Sequence, residues 1–170
     1  YKVVKDGARA REYEDALQWL VDARLVYKIY RSSAPGLPIA AYDDLSAFEI
    51  YLVDVGLPRR LAQLVSTAFG EGNRLFTEFK GALTENFVLQ TLITQFEVRP
   101  RYWTQRNPTH EADFLIQREN DIFPAEVKSE ANITSKSLKK SKELFPDKVK
   151  LRIRFSLDNL KLDDDVLNIP

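Results

Sequence analysis

Three side chains of this sequence have the types and spacing of a metal-dependent hydrolytic site. Asp113 lies in a run flanked by apolar residues, and Glu126 and Lys128 follow it, with Val127 between them. Residues two apart in a strand project from the same face, so Glu126 and Lys128 point together if their segment is a strand. If Asp113 lies on the neighbouring strand, two carboxylates and an ammonium converge. Such a group can hold Mg²⁺ through oxygen ligands and place a lysine beside an attacked phosphate.

Glu85 is a fourth candidate because its carboxylate falls on a mainly apolar helix stripe. The pattern of residues 78–95 predicts a helix, and the neighbours of Glu85 at helical spacing are Ala82, Val88, Leu89 and Leu92. A buried carboxylate usually has a metal ion, a lysine or a hydrogen-bond donor as its partner. The predicted catalytic set, which has the logic of a PD-(D/E)xK nuclease, is Glu85, Asp113, Glu126 and Lys128.

These four residues have different predicted roles. Asp113 and Glu126 hold a Mg²⁺ ion, and Glu85 is either a further ligand or a group that positions water. Lys128 orients the attacking water or offsets charge on the transition state. The same charges also fit a partly buried ion-pair network in a nuclease-derived fold that no longer cuts, and this spacing arises often by chance. Both interpretations stay open.

Composition excludes several other kinds of site. The 170 residues include no Cys, which excludes disulfides, thiolate metal sites and Cys nucleophiles. There is no P-loop, no G-x-G-x-x-G motif and no set of zinc ligands. The single histidine, His110, precedes the Asp113 segment and is either an accessory base or an ordinary loop residue. No apolar run is long enough to span a bilayer, so we expect no membrane partner.

Charge is balanced overall but not locally. The chain has 25 Lys and Arg against 25 Asp and Glu. Basic residues concentrate between Lys136 and Arg154, and a local basic surface could contact phosphates. The candidates for nucleic-acid binding are Lys136, Lys139, Lys140 and Lys142. The alternative is a solvated helix face.

Hydrophobic periodicity predicts a mixed sheet flanked by helices, an α/β fold. Residues 9–24 predict a helix, and residues 25–31 with 38–42 predict a β-hairpin, together the closing half of a winged helix. The further predicted elements are strand 48–54, helix 59–66, helix 78–95, strands 99–105, 110–117 and 122–128, helix 135–145 and strand 149–157. We therefore expect a partial winged-helix segment at 1–45 and a second domain at 46–170.

Several segments stand together in the order found in a known family. They are WLVDA (19–23), FEIYLVDVGL (48–57), KGALTENFV (80–88), EADF (111–114), AEVKS (125–129), KSL (136–138) and NIP (168–170). With them the chain resembles the C-terminal half of bacterial and archaeal ATP-binding proteins of the AAA+ type. In those proteins a P-loop ATPase and a winged helix precede a restriction-endonuclease-like domain of unknown function, number 4143.

The resemblance implies a fragment of a longer cytoplasmic protein, and the lack of any Met and the start at Tyr1 agree with this. ATP would bind in the N-terminal ATPase domain, which would be a partner of this fragment. The expected function is ATP-coupled handling of DNA, with Mg²⁺-dependent phosphodiester hydrolysis at the nuclease-like site. The alternative is a catalytically silent nuclease fold that binds nucleic acid or another subunit and regulates the ATPase. We also leave open whether the protein assembles as a homo-oligomer.

Overall fold

Four α-helices and eight strands make up the part of the chain that the computed structural model describes, residues 13–64, 74–104, 111–129 and 136–170. In chain order they are α1 (Glu14–Asp22), β1 (Val26–Ser32), β2 (Asp43–Leu52), α2 (Gly56–Leu61), α3 (Arg74–Gln95), β3 (Arg101–Thr104), β4 (Glu111–Arg118), β5 (Asp121–Val127), α4 (Lys136–Leu144), β6 (Arg152–Phe155), β7 (Lys161–Asp163) and β8 (Val166–Ile169).

The strands form one mixed sheet in the order β2-β1-β3-β4-β5-β6-β8-β7. Neighbouring strands are antiparallel except for β1 with β3, β5 with β6 and β6 with β8, which are parallel. The fold is therefore α/β, with helices flanking a mixed sheet, as the periodicity predicts. The order α3-β3-β4-β5-α4-β6 also follows the predicted helix, three-stranded meander, helix and strand.

The main core lies between α3 and the centre of the sheet. Val88, Leu89 and Leu92 on α3 share a buried cluster with Phe114 on β4 and Val127 on β5. Full burial of such a side chain stabilises the fold by about 1.5–3 kcal/mol. This packing fixes the position of α3 over the strands that carry the predicted site.

The N-terminal hairpin differs from the sequence prediction in one strand. Residues 38–42 were expected to be its second strand, but Ile39–Tyr42 is a short 3-10 helix and the strand that pairs with β1 is β2. The backbone N–H of Ile39 donates to Oε1 of Gln117 at 2.9 Å, and Pro38 has no N–H to contribute to a ladder. The predicted boundary between residues 45 and 46 falls inside β2, and the winged-helix assignment stays a prediction.

The hairpin of β7 and β8 was not predicted from the sequence. Asp163 is the last residue of β7, and Asp164 turns the chain toward β8 with a φ of 55°. Strands of three and four residues are too short for a periodic pattern. The position of the two strands in the sheet is decided by the parallel pairing of β8 with β6.

Candidate functional site

A β-bulge lies at Asp113. Along β3, Arg101 pairs with Leu115 and Trp103 pairs with Ala112, so two residues of β4, Asp113 and Phe114, lie opposite the single residue Tyr102. Bulges of this kind bend a strand and re-aim a side chain, and they are frequent next to active sites. The carboxylate of Asp113 reaches the adjacent strand, where its Oδ2 accepts a hydrogen bond of 2.6 Å from the backbone N–H of Val127.

Glu126 and Lys128 project together, as strand alternation predicts. The Nζ of Lys128 lies 2.5 Å from Oε1 of Glu126. Phe114 and Ala125 are paired across β4 and β5, so the next residues along the two strands are Asp113 and Glu126. The Glu126 side chain is only 8% exposed, and its Oε2 has no hydrogen-bond partner within the described part of the chain.

Glu85 meets Asp113 at a small cavity of about 60 Å³. The lining comes from α3 and from three strands, and its residues are Glu49, Tyr51, Glu85, Tyr102, Glu111, Ala112 and Asp113. No lysine or arginine is among these lining residues. Glu126 and Lys128 are not among them either, so the four predicted residues form two pairs: Glu85 with Asp113 at the cavity, and Glu126 with Lys128 beside it.

Electrostatic coupling links the two pairs. Burial, opposed by the Val127 hydrogen bond and reinforced by the charges of Glu85 and Glu126, raises the pKa of Asp113 to about 7. Burial also raises the pKa of Glu85, and the nearby ammonium of Lys128 works against that increase. Each pair therefore acts on the other, Glu126 on Asp113 and Lys128 on Glu85.

Sequence reasoning missed Glu49 and Tyr51, which β2 brings to the cavity from a segment far from the motif. The Tyr51 hydroxyl donates a hydrogen bond of 2.9 Å to Oε2 of Glu49. Burial, with a contribution from the charge of Glu111, raises the pKa of Glu49. The alternation of FEIYL puts Glu49 and Tyr51 on one face, but nothing local indicates which side of the sheet that face meets.

The donor chemistry of the site suits Mg²⁺, because carboxylates are the hard oxygen ligands that this ion prefers. Within the ranges that the structure describes, no three Asp, Glu or His side chains are already arranged around a common metal position. The buried and unpartnered Oε2 of Glu126 is the observation that fits a cation, since a buried carboxylate oxygen is unfavourable without a donor or a positive charge. The ligand assignment to Glu85, Asp113 and Glu126 stays a prediction.

The predicted basic segment is divided between paired and exposed lysines. Lys140 lies 3.2 Å from Glu143, and Lys142 donates to the carbonyl of Val149. Lys136 and Lys139 lie on the exposed side of α4. The nucleic-acid interface thus stays a prediction, with Lys136 and Lys139 as its most accessible members. His110 lies outside the described residues.

Comparison with known proteins gives two family matches. A family described as "Domain of unknown function (DUF4143)" matches residues 80–170, more than half of the chain, and this range contains all four predicted site residues. A second, described as "Domain of unknown function (DUF8612)", matches residues 1–68, which include Glu49 and Tyr51. No curated protein and no solved structure matches the chain. In the described residues, no helix combines the length and apolar character needed to cross a membrane.

Proposed function

The chain belongs to the DUF4143 family, and we propose that it is the C-terminal portion of an AAA+-type ATP-binding protein that handles nucleic acid in the cytoplasm. In this proposal a winged-helix segment precedes a restriction-endonuclease-like domain, and ATP binds in an N-terminal domain outside this chain. The order of helix, meander, helix and parallel strand in α3-β3-β4-β5-α4-β6 supports a core of that type.

The proposed activity is Mg²⁺-dependent hydrolysis of a phosphodiester bond. One observation carries it: Glu126 and Lys128 form a close pair at the end of β5, immediately beside Asp113, and one buried oxygen of Glu126 has no partner among the described atoms. A pair of carboxylates can hold a divalent ion, and an adjacent lysine can stabilise charge on a phosphate, so the combination is suited to metal-assisted phosphodiester hydrolysis. Glu85, Asp113 and Glu126 would hold the ion.

Each residue contributes a definite task. A bound Mg²⁺ would supply Lewis-acid polarisation of the phosphate and a more acidic bound water. The Val127 N–H fixes one oxygen of Asp113, which orients the carboxylate without using its other oxygen. Lys128 is held 2.5 Å from Glu126, so its ammonium is already at the site and can bind a phosphate oxygen as negative charge develops there.

Incubation with labelled nucleic acids tests the proposal. The 170-residue chain is mixed with single- and double-stranded DNA and RNA in Mg²⁺, in Mn²⁺ and in EDTA. We expect cleavage with either ion, none in EDTA and none with Asp113→Asn. Asp121→Asn, at the opposite end of β5, is the matched control and should cleave like the wild type. A wild type that cleaves none of the four substrates would contradict the hydrolytic activity.

The second candidate is a silent nuclease fold that binds nucleic acid or another subunit and regulates the ATPase. The pairing of Lys128 with Glu126 favours it, because an ammonium neutralised by an adjacent carboxylate is less available to a phosphate. Binding of nucleic acid without cleavage in the same experiment would support this function. In either case the complete protein should carry an upstream G-x-x-x-x-G-K-[ST] motif, and a complete sequence without one would contradict the ATPase assignment.

A further inference from the structure

The N-terminal hairpin joins the rest of the sheet through very little backbone pairing. Strand β1 pairs with β2 through seven residue pairs, but with β3 through a single pair, Arg31 with Tyr102. Side chains reinforce the junction. The guanidinium of Arg101 on β3 donates to both carboxylate oxygens of Asp43 on β2, at 2.6 and 2.9 Å.

Asn86 holds β2 against α3. Its Oδ1 accepts from the backbone N–H of Leu52 at 2.9 Å, and its Nδ2 donates to the carbonyl of Leu52 at 2.9 Å. The side chain thus binds both polar backbone groups of one residue, as a neighbouring strand would, and Asn86 is only 5% exposed. Because Glu85 is the preceding residue of α3, this contact fixes the position of Glu85 relative to β2.

Glu49 and Tyr51 lie on the same strand as Leu52, and both line the cavity that Glu85 and Asp113 line. Tyr51 is 9% exposed, and its ring packs against Phe114, with 5.9 Å between the ring centres. Its hydroxyl donates to Glu49, so the Glu49 carboxylate is held by a buried and packed group. A group fixed in this way requires little reorganisation when it acts on a ligand.

The cavity gathers four carboxyl groups, and the ammonium of Lys128, which acts on Glu85, is not among its lining residues. Carboxylates of Glu49, Glu85, Glu111 and Asp113 line it, and its lining includes no basic side chain. Independently, Glu126 is 6% exposed, its Oε2 is buried without a partner within the described residues, and its charge acts on Asp113. Buried carboxylates are unfavourable unless a positive charge or a hydrogen-bond donor satisfies them.

We propose that Glu49, held by Tyr51 and brought to the cavity through the Asn86 contact, is a positioning carboxylate of the same divalent-cation site and increases its affinity for the ion. This inference rests on the proposed function, because it adds a residue to that site. It implies that the site is built across the two family regions, with one carboxylate from the N-terminal hairpin and the others from the DUF4143 region. The N-terminal hairpin is then part of the site and not only a neighbour of it.

Calorimetric titration of the 170-residue chain with Mn²⁺ tests this role without measuring activity. Glu49→Gln keeps the size of the side chain and an oxygen that accepts from Tyr51, but it removes the charge. We expect it to weaken Mn²⁺ binding about tenfold, the size of effect seen when groups that support metal ligands are changed. Glu97→Gln, an exposed Glu just after α3, is the matched control and should bind like the wild type.

A thermal melt in EDTA separates positioning from a structural role. Removal of a buried charge should leave the melting temperature of Glu49→Gln equal to or above that of the wild type. A lower melting temperature with unchanged Mn²⁺ affinity would overturn the inference and make Glu49 structural. Tyr51→Phe, which keeps the ring, should weaken Mn²⁺ binding by a smaller factor than Glu49→Gln, and a larger factor would contradict the role given to Glu49.

The Asn86 contact is tested by combining variants. In an Asn86→Ala background β2 is less firmly held, so Glu49→Gln should weaken Mn²⁺ binding by less than it does in the wild type. Equal factors in the two backgrounds would contradict the positioning through Asn86. If the wild type neither binds Mn²⁺ nor cleaves, the proposed function fails and this inference fails with it. If the wild type binds Mn²⁺ and Glu49→Gln binds equally well, only this inference fails.

Discussion

Two aspartates, Asp113 on β4 and Asp165 in the turn before β8, have opposite electrostatic environments. Burial and the charges of neighbouring carboxylates raise the pKa of Asp113 to about 7. Burial works in the same direction on Asp165, but the hydrogen bond and charge of Arg152 and the charge of Lys142 outweigh it, and the pKa of Asp165 is lowered. Asp165 pairs with Arg152 and lies 3.8 Å from Lys142, whereas the cavity lining at Asp113 contains no cation.

The difference separates a structural charge from a functional one. The Asp165 group, which is Asp165 with Arg152 and Lys142, joins the turn before β8 to β6 and to α4 and pairs its charges, although the buried Nε of Arg152 has no hydrogen-bond partner among the described residues. The Asp113 group brings carboxyl groups together at a cavity whose lining contains no cation, an arrangement that reduces stability and is typical of sites that bind a ligand. Substitution of Asp165 should therefore lower stability and leave activity unchanged, whereas substitution of Asp113 should raise stability and abolish activity.

The largest expected effect concerns activity at the Asp113 group. Lys128→Ala should reduce Mg²⁺-dependent cleavage by about 100-fold or more, because it removes a charge that stabilises the transition state. Lys161→Ala, an exposed lysine on β7, is the control. Initial rates on the substrate that the wild type cleaves measure the effect. A Lys128→Ala protein that is folded and cleaves at the wild-type rate would remove Lys128 from the site.

At the Asp165 group the expected effect is on stability. Asp165→Asn leaves the guanidinium of Arg152, whose side chain is 12% exposed, without its charge partner. Loss of one member of a largely buried pair should lower the free energy of unfolding by about 2–3 kcal/mol, less than for a fully buried pair. Urea denaturation at pH 7 measures this. Cleavage by the folded variant should be unchanged, and a loss of cleavage would show that the two groups are not independent.

Asp113→Asn should have the reverse effects, a gain in stability and a loss of cleavage. Because the folded protein holds the Asp113 proton more tightly than the unfolded chain does, ionisation of Asp113 reduces stability as the pH rises from about 4 to about 7, and the reduction is complete above pH 7. The variant should therefore be about 1–3 kcal/mol more stable than the wild type at pH 8 and nearly equal to it at pH 4. Urea denaturation in EDTA at the two pH values measures this, and a less stable variant at pH 8 would contradict the uncompensated charge.

The smallest effect is expected on nucleic-acid binding. Lys139→Glu combined with Lys140→Glu should weaken binding several-fold for every sequence, because phosphate contacts position the ligand and do not read bases. Wild-type binding should also weaken as salt rises, through counterion release. Titration of labelled single strand and duplex at two salt concentrations measures both effects. Binding that is insensitive to salt, or equal in the double variant, would assign these lysines to a solvated helix face.

Local patterns were sufficient for the elements that carry the predicted site. Apolar periodicity located α3, and alternation located β4 and β5 with Glu126 and Lys128 on a common side. The 3-10 helix Ile39–Tyr42 and the β7–β8 hairpin were not predictable in this way. A hydrogen bond from the backbone N–H of Ile39 to the Gln117 side chain and a parallel pairing of β8 with β6 decide them, and neither contact is local in sequence.

The sequence by itself determined which side chains could do chemistry. Glu126 and Lys128 are two residues apart, so they point to the same side in any strand. The apolar residues around Glu85 have helical spacing, so they form one stripe with it in any helix. Only the tertiary structure decided that a bulge turns Asp113 to the N–H of Val127 and that β2 brings Glu49 to the same cavity. The physical reason is that periodicity fixes the face on which a residue lies, whereas the partner of that face depends on strand order and on contacts such as Asn86 with Leu52.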